Sequence, residues 1–225
     1  MLDRLRGGLI VSIQPEPNSE LNTPAFVGVI ARCAQANGAA AVRIEGLERI
    51  ERVRAEVAIP IVGLIKRLQA GFEPYITTSI EDVAAIAAAG ADIVAVDATD
   101  RARPGGADVS ALIEAAAASG ALSMADCATY ADGVAATAAG ADVIATTLYG
   151  YTPATSGSRP PGIGLVAELA AIHPFALCEG GLDHPDQVRL AFAAGASAVC
   201  VGTAISNIDA LVRRFSQAAP KRRNS

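Results

Sequence analysis

A chain of 225 residues, 52% of them hydrophobic and 18% charged, is long enough to close one compact core without disulfides or metals, burying roughly 70% or more of its unfolded surface. Its net charge of −5 disfavours nucleic acid as a partner, and with aromatics at only 4% the core must be filled by Ala, Val, Leu and Ile. The opening Met1-Leu-Asp-Arg-Leu-Arg-Gly-Gly8 has no apolar signal core and no apolar run of spanning length follows, so the expected setting is the cytoplasm, with no membrane partner.

In chain order the apolar runs are Leu9 to Gln14, Gly38-Ala-Ala-Ala-Val-Arg43, Pro60 to Lys66, Gly90 to Asp97, Ala121 to Asp126, Gly140 to Thr147, Phe175 to Glu179 and Gly195 to Gly202. Four of them share one signature: a helix ends in Gly-Ala and an apolar strand starts at once. The glycines, at 38, 90, 140 and 195, stand about fifty residues apart, too far for one strand-helix pair and right for two. Runs rich in Val, Ile and Ala and apolar on both faces suit strands covered on each side, as in an all-parallel sheet. The segments between them, such as Ile80 to Ala89 and Tyr130 to Ala139, are Ala-rich and stop at Gly, the residue that tolerates a left-handed helix cap.

Eight strand-helix units without a change in composition close most simply into a single (β/α)8 TIM barrel, an α/β fold. A doubly wound sheet is the rival, but its Gly-rich phosphate turn after the first strand is missing: Gln14-Pro-Glu-Pro-Asn18 stands there. The expected organisation is a barrel domain over 1–219 and a short basic disordered tail over 220–225. Cys33, Cys127, Cys178 and Cys200 show no CxxC spacing and read as small packing residues of a reducing compartment. His173 and His184 lack metal-ligand spacing and read as surface residues, so no metal site is expected.

Functional groups of such a barrel gather at the C-terminal ends of the strands. In order these ends offer Gln14, Arg43 with Glu45, Lys66 with Arg67, Asp97, Asp126, Thr146 with Thr147, Glu179, and Gly202 with Thr203. Four charges, Arg43, Lys66, Asp126 and Glu179, pointing into one desolvated mouth cost several kcal/mol each unless paired or kept for a ligand. Lys66 is the sharpest of them. Its amine can form a Schiff base, bind phosphate as a cation, or act as a base if burial lowers its pKa. Gly180, Gly181, Gly202 and Thr203, after strands seven and eight, lie where barrels bind phosphate on backbone N–H groups. Two Pro/Gly/Ser-rich loops, Pro15 to Pro24 and Ser156 to Gly164, lie on the same side as candidate lids.

The pieces Leu9-Ile-Val-Ser-Ile-Gln14, Gly63-Leu-Ile-Lys-Arg67, Tyr75-Ile-Thr77, Asp97-Ala-Thr99, Met124-Ala-Asp126, Thr146-Thr-Leu-Tyr-Gly-Tyr-Thr152 and Glu179-Gly180 run along nearly the whole chain. Together they resemble the N-acetylmannosamine-6-phosphate 2-epimerase family of phosphate-binding barrels. The resemblance implies inversion at C2 of an amino-sugar phosphate, between the N-acetylmannosamine and N-acetylglucosamine 6-phosphates, by loss and return of a proton next to the C1 carbonyl. It needs no cofactor. It assigns the proton transfers to Lys66 and Glu179, and sugar binding to Gln14, Arg43, Asp126, Thr147 and Tyr151, and it implies a homodimer. Strands three and seven of eight are four steps apart, which sets the two transfer groups on opposite walls.

The chain departs from the family pattern near the expected phosphate. Glu179-Gly180-Gly181 replaces Glu-Gly-Arg, and Ser206-Asn207 stands where an arginine follows the last strand. Arg159 is a candidate replacement. The departures keep open a Schiff-base lyase using Lys66 and a non-catalytic sugar-phosphate sensor.

Overall fold

The computed structural model describes residues 1–220. The basic tail expected over 220–225 lies, from Lys221 on, outside the described residues. Eight parallel strands, β1 (Leu9–Ile13), β2 (Ala41–Glu45), β3 (Ile61–Leu64), β4 (Ile93–Asp97), β5 (Leu122–Asp126), β6 (Val143–Ala145), β7 (Ala176–Glu179) and β8 (Ala198–Val201), close in sequence order into a barrel. Around it run α1 (Pro24–Ala36), α2 (Leu47–Arg54), α3 (Ile80–Ala88), α4 (Val109–Ala118), α5 (Tyr130–Ala138), α6 (Ile163–Ile172), α7 (Pro185–Ala193), the single turn α8 (Thr203–Ser206) and α9 (Ile208–Ala218). It is a (β/α)8 TIM barrel. No helix among the described residues is long and apolar enough to cross a membrane.

Local chemistry starts and stops these helices where the sequence suggests. Side chains of Thr23, Ser79, Asp108, Thr129, His184 and Asn207 accept the free N–H groups at the starts of α1, α3, α4, α5, α7 and α9. The four repeat glycines, 38, 90, 140 and 195, have φ between +83° and +99°, a region an L side chain rarely enters, and each turns the chain from a helix into the next strand.

Period-two alternation places the site. Ile10, Ala41, Leu64, Ala95, Met124, Ala145, Leu177 and Ala198 belong to the cluster that fills the barrel interior. Two residues on from six of them, on the same inward face, stand Ser12, Arg43, Asp97, Asp126, Glu179 and Cys200. An apolar plug therefore carries a polar layer at the C-terminal end of the barrel. The opposite faces, with Val42, Ile44, Val94, Val96, Ala125 and Ile144, pack on the helices.

Two expectations are corrected here. β3 stops at Leu64, short of the expected end at Lys66, because the chain then folds back on itself. His173 is buried, not at the surface: its Nε2 donates to the Ala141 carbonyl at 2.9 Å and its Nδ1 accepts the Phe175 N–H at 3.0 Å. Both ring nitrogens are satisfied by backbone, linking the segments that lead into β6 and β7. His184 does lie at the surface.

Candidate active site

Arg43 is the centre of the polar layer. The residue is 1% exposed, and its guanidinium forks onto Asp126, with Nη2 to Oδ2 at 2.6 Å and Nη1 to Oδ1 at 3.1 Å, while Nη1 also donates to Glu179. The arginine of β2 thus spans the barrel to carboxylates from β5 and β7. Thr147, just past β6, donates its hydroxyl to Asp126 at 2.6 Å and lies 3.3 Å from a Glu179 oxygen. Thr146 clamps the backbone of β7: its hydroxyl donates to the Glu179 carbonyl at 2.9 Å and accepts the Glu179 N–H at 3.1 Å. A planar fork with fixed donors suits this bidentate task better than a lysine.

Lys66 enters from the opposite wall. After β3 the chain doubles back, pairing Lys66 with Ile76, with the Arg67 N–H on the Tyr75 carbonyl and the Thr77 N–H on the Ile65 carbonyl. Thr77, buried at φ +42°, is the one non-glycine residue with positive φ among the described residues. Its hydroxyl accepts the Ile65 N–H at 3.2 Å, so a backbone of higher energy is held where the lysine must be aimed.

A cavity of about 490 Å³ opens above this layer. Gln14, Arg43, Lys66, Thr147, Tyr151, Glu179, Gly180, Gly181, Gly202 and Thr203 all line it. Asp126 lies beneath, fully buried, and reaches the cavity through Arg43 and Thr147. Tyr151 stands at the exposed rim. Gln14 donates to Ser12 at 2.7 Å, while its Oε1 and the Nε of Arg43 are buried without a partner, which leaves one acceptor and one donor unused at the cavity. Among the described residues no group of three or more His, Cys, Asp and Glu side chains is arranged to hold a metal ion.

Other strand-end residues are structural. Arg67 turns outward onto Asp82, and Glu45 pairs with Arg49. Asp97 accepts from Thr99 at 2.6 Å and from Arg101 at 2.7 Å, while Arg103 donates to the carbonyls of Asp97 and Thr99. Arg159 is exposed and is not among the residues that line the cavity. Cavity residues that the sequence did not single out as site residues include Ser12, Tyr75, Asp183, Cys200 and Arg214. For Ser12 and Cys200 the signal was available, since both stand two residues beyond an inward apolar residue.

The electrostatics push Lys66 and Glu179 toward each other's range. Lys66 has surface open to the cavity, yet the surrounding walls remove water and the Arg43 charge opposes a second cation, which holds its ammonium below the usual lysine range. Burial raises the Glu179 carboxyl above the usual carboxylate range, with Arg43 pulling against it. Burial and the Asp126 charge raise Tyr75, and burial with the Glu179 charge keeps the Cys200 thiol protonated. Proton exchange with a carbon between two groups of converging basicity is what this arrangement can do.

A family model described as "Putative N-acetylmannosamine-6-phosphate epimerase" matches residues 27–221. Proteins of Escherichia coli O9:H4 (strain HS) and Shigella flexneri, both named "Putative N-acetylmannosamine-6-phosphate 2-epimerase", are 41% identical over 215 residues, which is 96% of this chain and 93% of theirs. The solved N-acetylmannosamine-6-phosphate 2-epimerase from Clostridium perfringens superposes with a TM-score of 0.93 at 34% identity, over 97% of this chain and 96% of that one.

Proposed function

This chain belongs to the N-acetylmannosamine-6-phosphate epimerase family, and we propose that Lys66 and Glu179 are the two groups that exchange the proton of its reaction. The protein is an isomerase that interconverts N-acetylmannosamine 6-phosphate and its C2 epimer, N-acetylglucosamine 6-phosphate. What carries the assignment is the entry of Lys66, just past strand three, and Glu179, the last residue of strand seven, into one cavity from opposite walls of a closed ring of eight.

In one direction the neutral Lys66 amine takes the C2 proton of the open-chain sugar. The C–H electron pair becomes the C1–C2 double bond and the carbonyl electrons move to O1. Protonated Glu179 then delivers its proton to the opposite face of C2, and the C1 carbonyl re-forms. Lys66 ends as ammonium and Glu179 as carboxylate, the starting states for the reverse direction. Arg43 supplies N–H donors for the developing oxyanion, a contribution often worth about 3 kcal/mol. Because the oxyanion and Glu179 draw on the same guanidinium, substrate charge at O1 weakens the hold of Arg43 on Glu179 and helps that carboxyl carry its proton. Gln14 Oε1 and the Thr147 hydroxyl serve the sugar or acetamido group, with Tyr151 at the rim.

For the phosphate we assign the backbone at Gly180, Gly181, Gly202 and Thr203. Gly180 and Gly181 have φ of +98° and +68°, and a Cβ at 181 would press into Pro160, so the loop as folded leaves no room for a side chain there. We assign a homodimer to α9, whose Ile208, Val212 and Phe215 form an exposed apolar stripe, Phe215 being 74% exposed. Four free cysteines, three of them buried, suit the reducing cytoplasm.

The decisive experiment runs the reaction in deuterium oxide. Solvent deuterium is expected at C2 of the product, with incorporation abolished in Lys66→Met and Glu179→Gln, and borohydride is expected to trap no adduct on Lys66. Turnover without label at C2 would overturn the assignment.

A further inference from the structure

We propose that Arg214, on α9, is the cationic side chain that recognises the substrate phosphate, which rests on the epimerase reading and adds to it a ligand outside the barrel strands. Three cations line the cavity: Arg43, Lys66 and Arg214. Arg43 is committed to Asp126 and Glu179, and Lys66 works at C2, four carbons from the phosphate at C6. Of the described residues around the β7 and β8 end of the cavity, Arg214 alone offers a positive charge to a dianion there.

Its neighbours are already engaged. Asn207 spends its side-chain oxygen on the Ala210 N–H at 2.9 Å, and Ser206 donates its hydroxyl to the Ser12 carbonyl at 2.6 Å. Arg213 is paired with Glu16 of the loop after β1 and does not line the cavity. Arg214 instead holds Asp183, in the loop after β7, at 3.2 Å, with its own side chain 62% exposed. An exposed pair of this kind contributes little and exchanges cheaply. Asp183 also lines the cavity, where its carboxylate alone would repel a phosphate. Arg214 therefore has two roles: it neutralises Asp183 in the empty site and turns onto the phosphate when substrate arrives, forming the stronger, charge-assisted and bidentate bonds that a guanidinium makes with phosphate oxygens. On α9 the two arginines lie opposite the Ile208, Val212 and Phe215 stripe on the helical wheel, so the charged side of the helix is the one turned to the mouth.

The experiment measures kcat and KM for N-acetylmannosamine 6-phosphate, and the inhibition constant of inorganic phosphate, in the full-length protein and in Arg214→Ala, Arg214→Lys and Asp183→Asn. Loss of a charge-assisted phosphate contact is expected to raise KM and the phosphate inhibition constant together by about 10- to 100-fold in Arg214→Ala, with kcat changed far less. Arg214→Lys should recover part of that loss. Asp183→Asn separates the roles: a phosphate ligand freed of its competing carboxylate binds phosphate more tightly, so both constants should fall. An arginine that only latches α9 to the loop would make Asp183→Asn as damaging as Arg214→Ala, and that result, or an unchanged KM in Arg214→Ala, overturns the inference. Either outcome is read in an enzyme that still exchanges C2 with solvent. An unsubstituted protein without such exchange would instead refute the epimerase site itself.

Discussion

Replacing Arg43 by Met tests the buried charge arrangement on which the site depends. The substitution keeps an unbranched apolar stem but removes the cation between Asp126, with no exposed surface, and Glu179, which is nearly as buried. Asp126 retains the Thr147 hydroxyl and Glu179 retains little, so two carboxyl groups are left in a dry interior. Breaking a buried pair by removing one partner costs about 3–5 kcal/mol. In a domain of this size that lowers the melting temperature by about 6–20 °C. The sign of the pH dependence follows from the same geometry. Burial already raises the Glu179 carboxyl against the pull of Arg43, and without the guanidinium it is held further above its unfolded pKa, so the folded state binds that proton more tightly than the unfolded one. The deficit is then fully expressed at neutral pH and shrinks as the pH falls through that raised value. Urea unfolding of both proteins between about pH 5 and pH 8 measures it, and Arg43→Met combined with Asp126→Asn should regain part of the loss because one orphaned charge is gone. A deficit below about 1 kcal/mol at neutral pH, or one that stays constant into acid, would refute the claim that Arg43 holds two buried carboxylates together.

In the direction in which Lys66 donates its proton as ammonium, kcat should show an alkaline limb at an apparent pKa below the ordinary lysine value of about 10.4, because the cavity walls and Arg43 lower it; a limb at the ordinary value would show that the acting lysine is not desolvated. Gly63→Ala should destabilise the barrel by about 1–3 kcal/mol, since a Cβ there would come within 2.7 Å of Ala91 and 3.0 Å of Ile50; thermal unfolding checks it, and a neutral effect would mean that α2 and α3 shift freely. Phe215→Asp should convert a dimer to a monomer of 22.8 kDa by sedimentation while leaving the fold intact by circular dichroism, and an unchanged mass would exclude the α9 stripe as the contact.

The chain's own pattern determined the barrel. Strand parity, glycine-terminated helices and polar caps are local properties, each decided by a few neighbouring residues, and their eightfold alternation leaves a closed parallel ring as the simplest way to cover every strand on both faces. The same parity carried Arg43, Asp126 and Glu179 to one end, because a side chain two residues beyond an inward Ala, Met or Leu must also point inward. Residues joined through space were beyond its reach. Nothing near Arg43 in sequence says that it bridges β5 and β7, and nothing near Lys66 says that the fold-back onto Ile76, rather than the strand itself, aims it. Arg67 at a strand end and Arg159 in a candidate lid were both eligible cations for the site by sequence, and only packing turned one onto Asp82 and left the other outside the cavity. Arg214 sits on the last helix, far from any strand end, and enters the site only because ring closure brings β8 beside β1 and carries α9 to the mouth. Periodicity is set by bond geometry within a turn or a strand, whereas the meeting of distant side chains is set by how the closed ring shares its interior, and only the folded molecule fixes that.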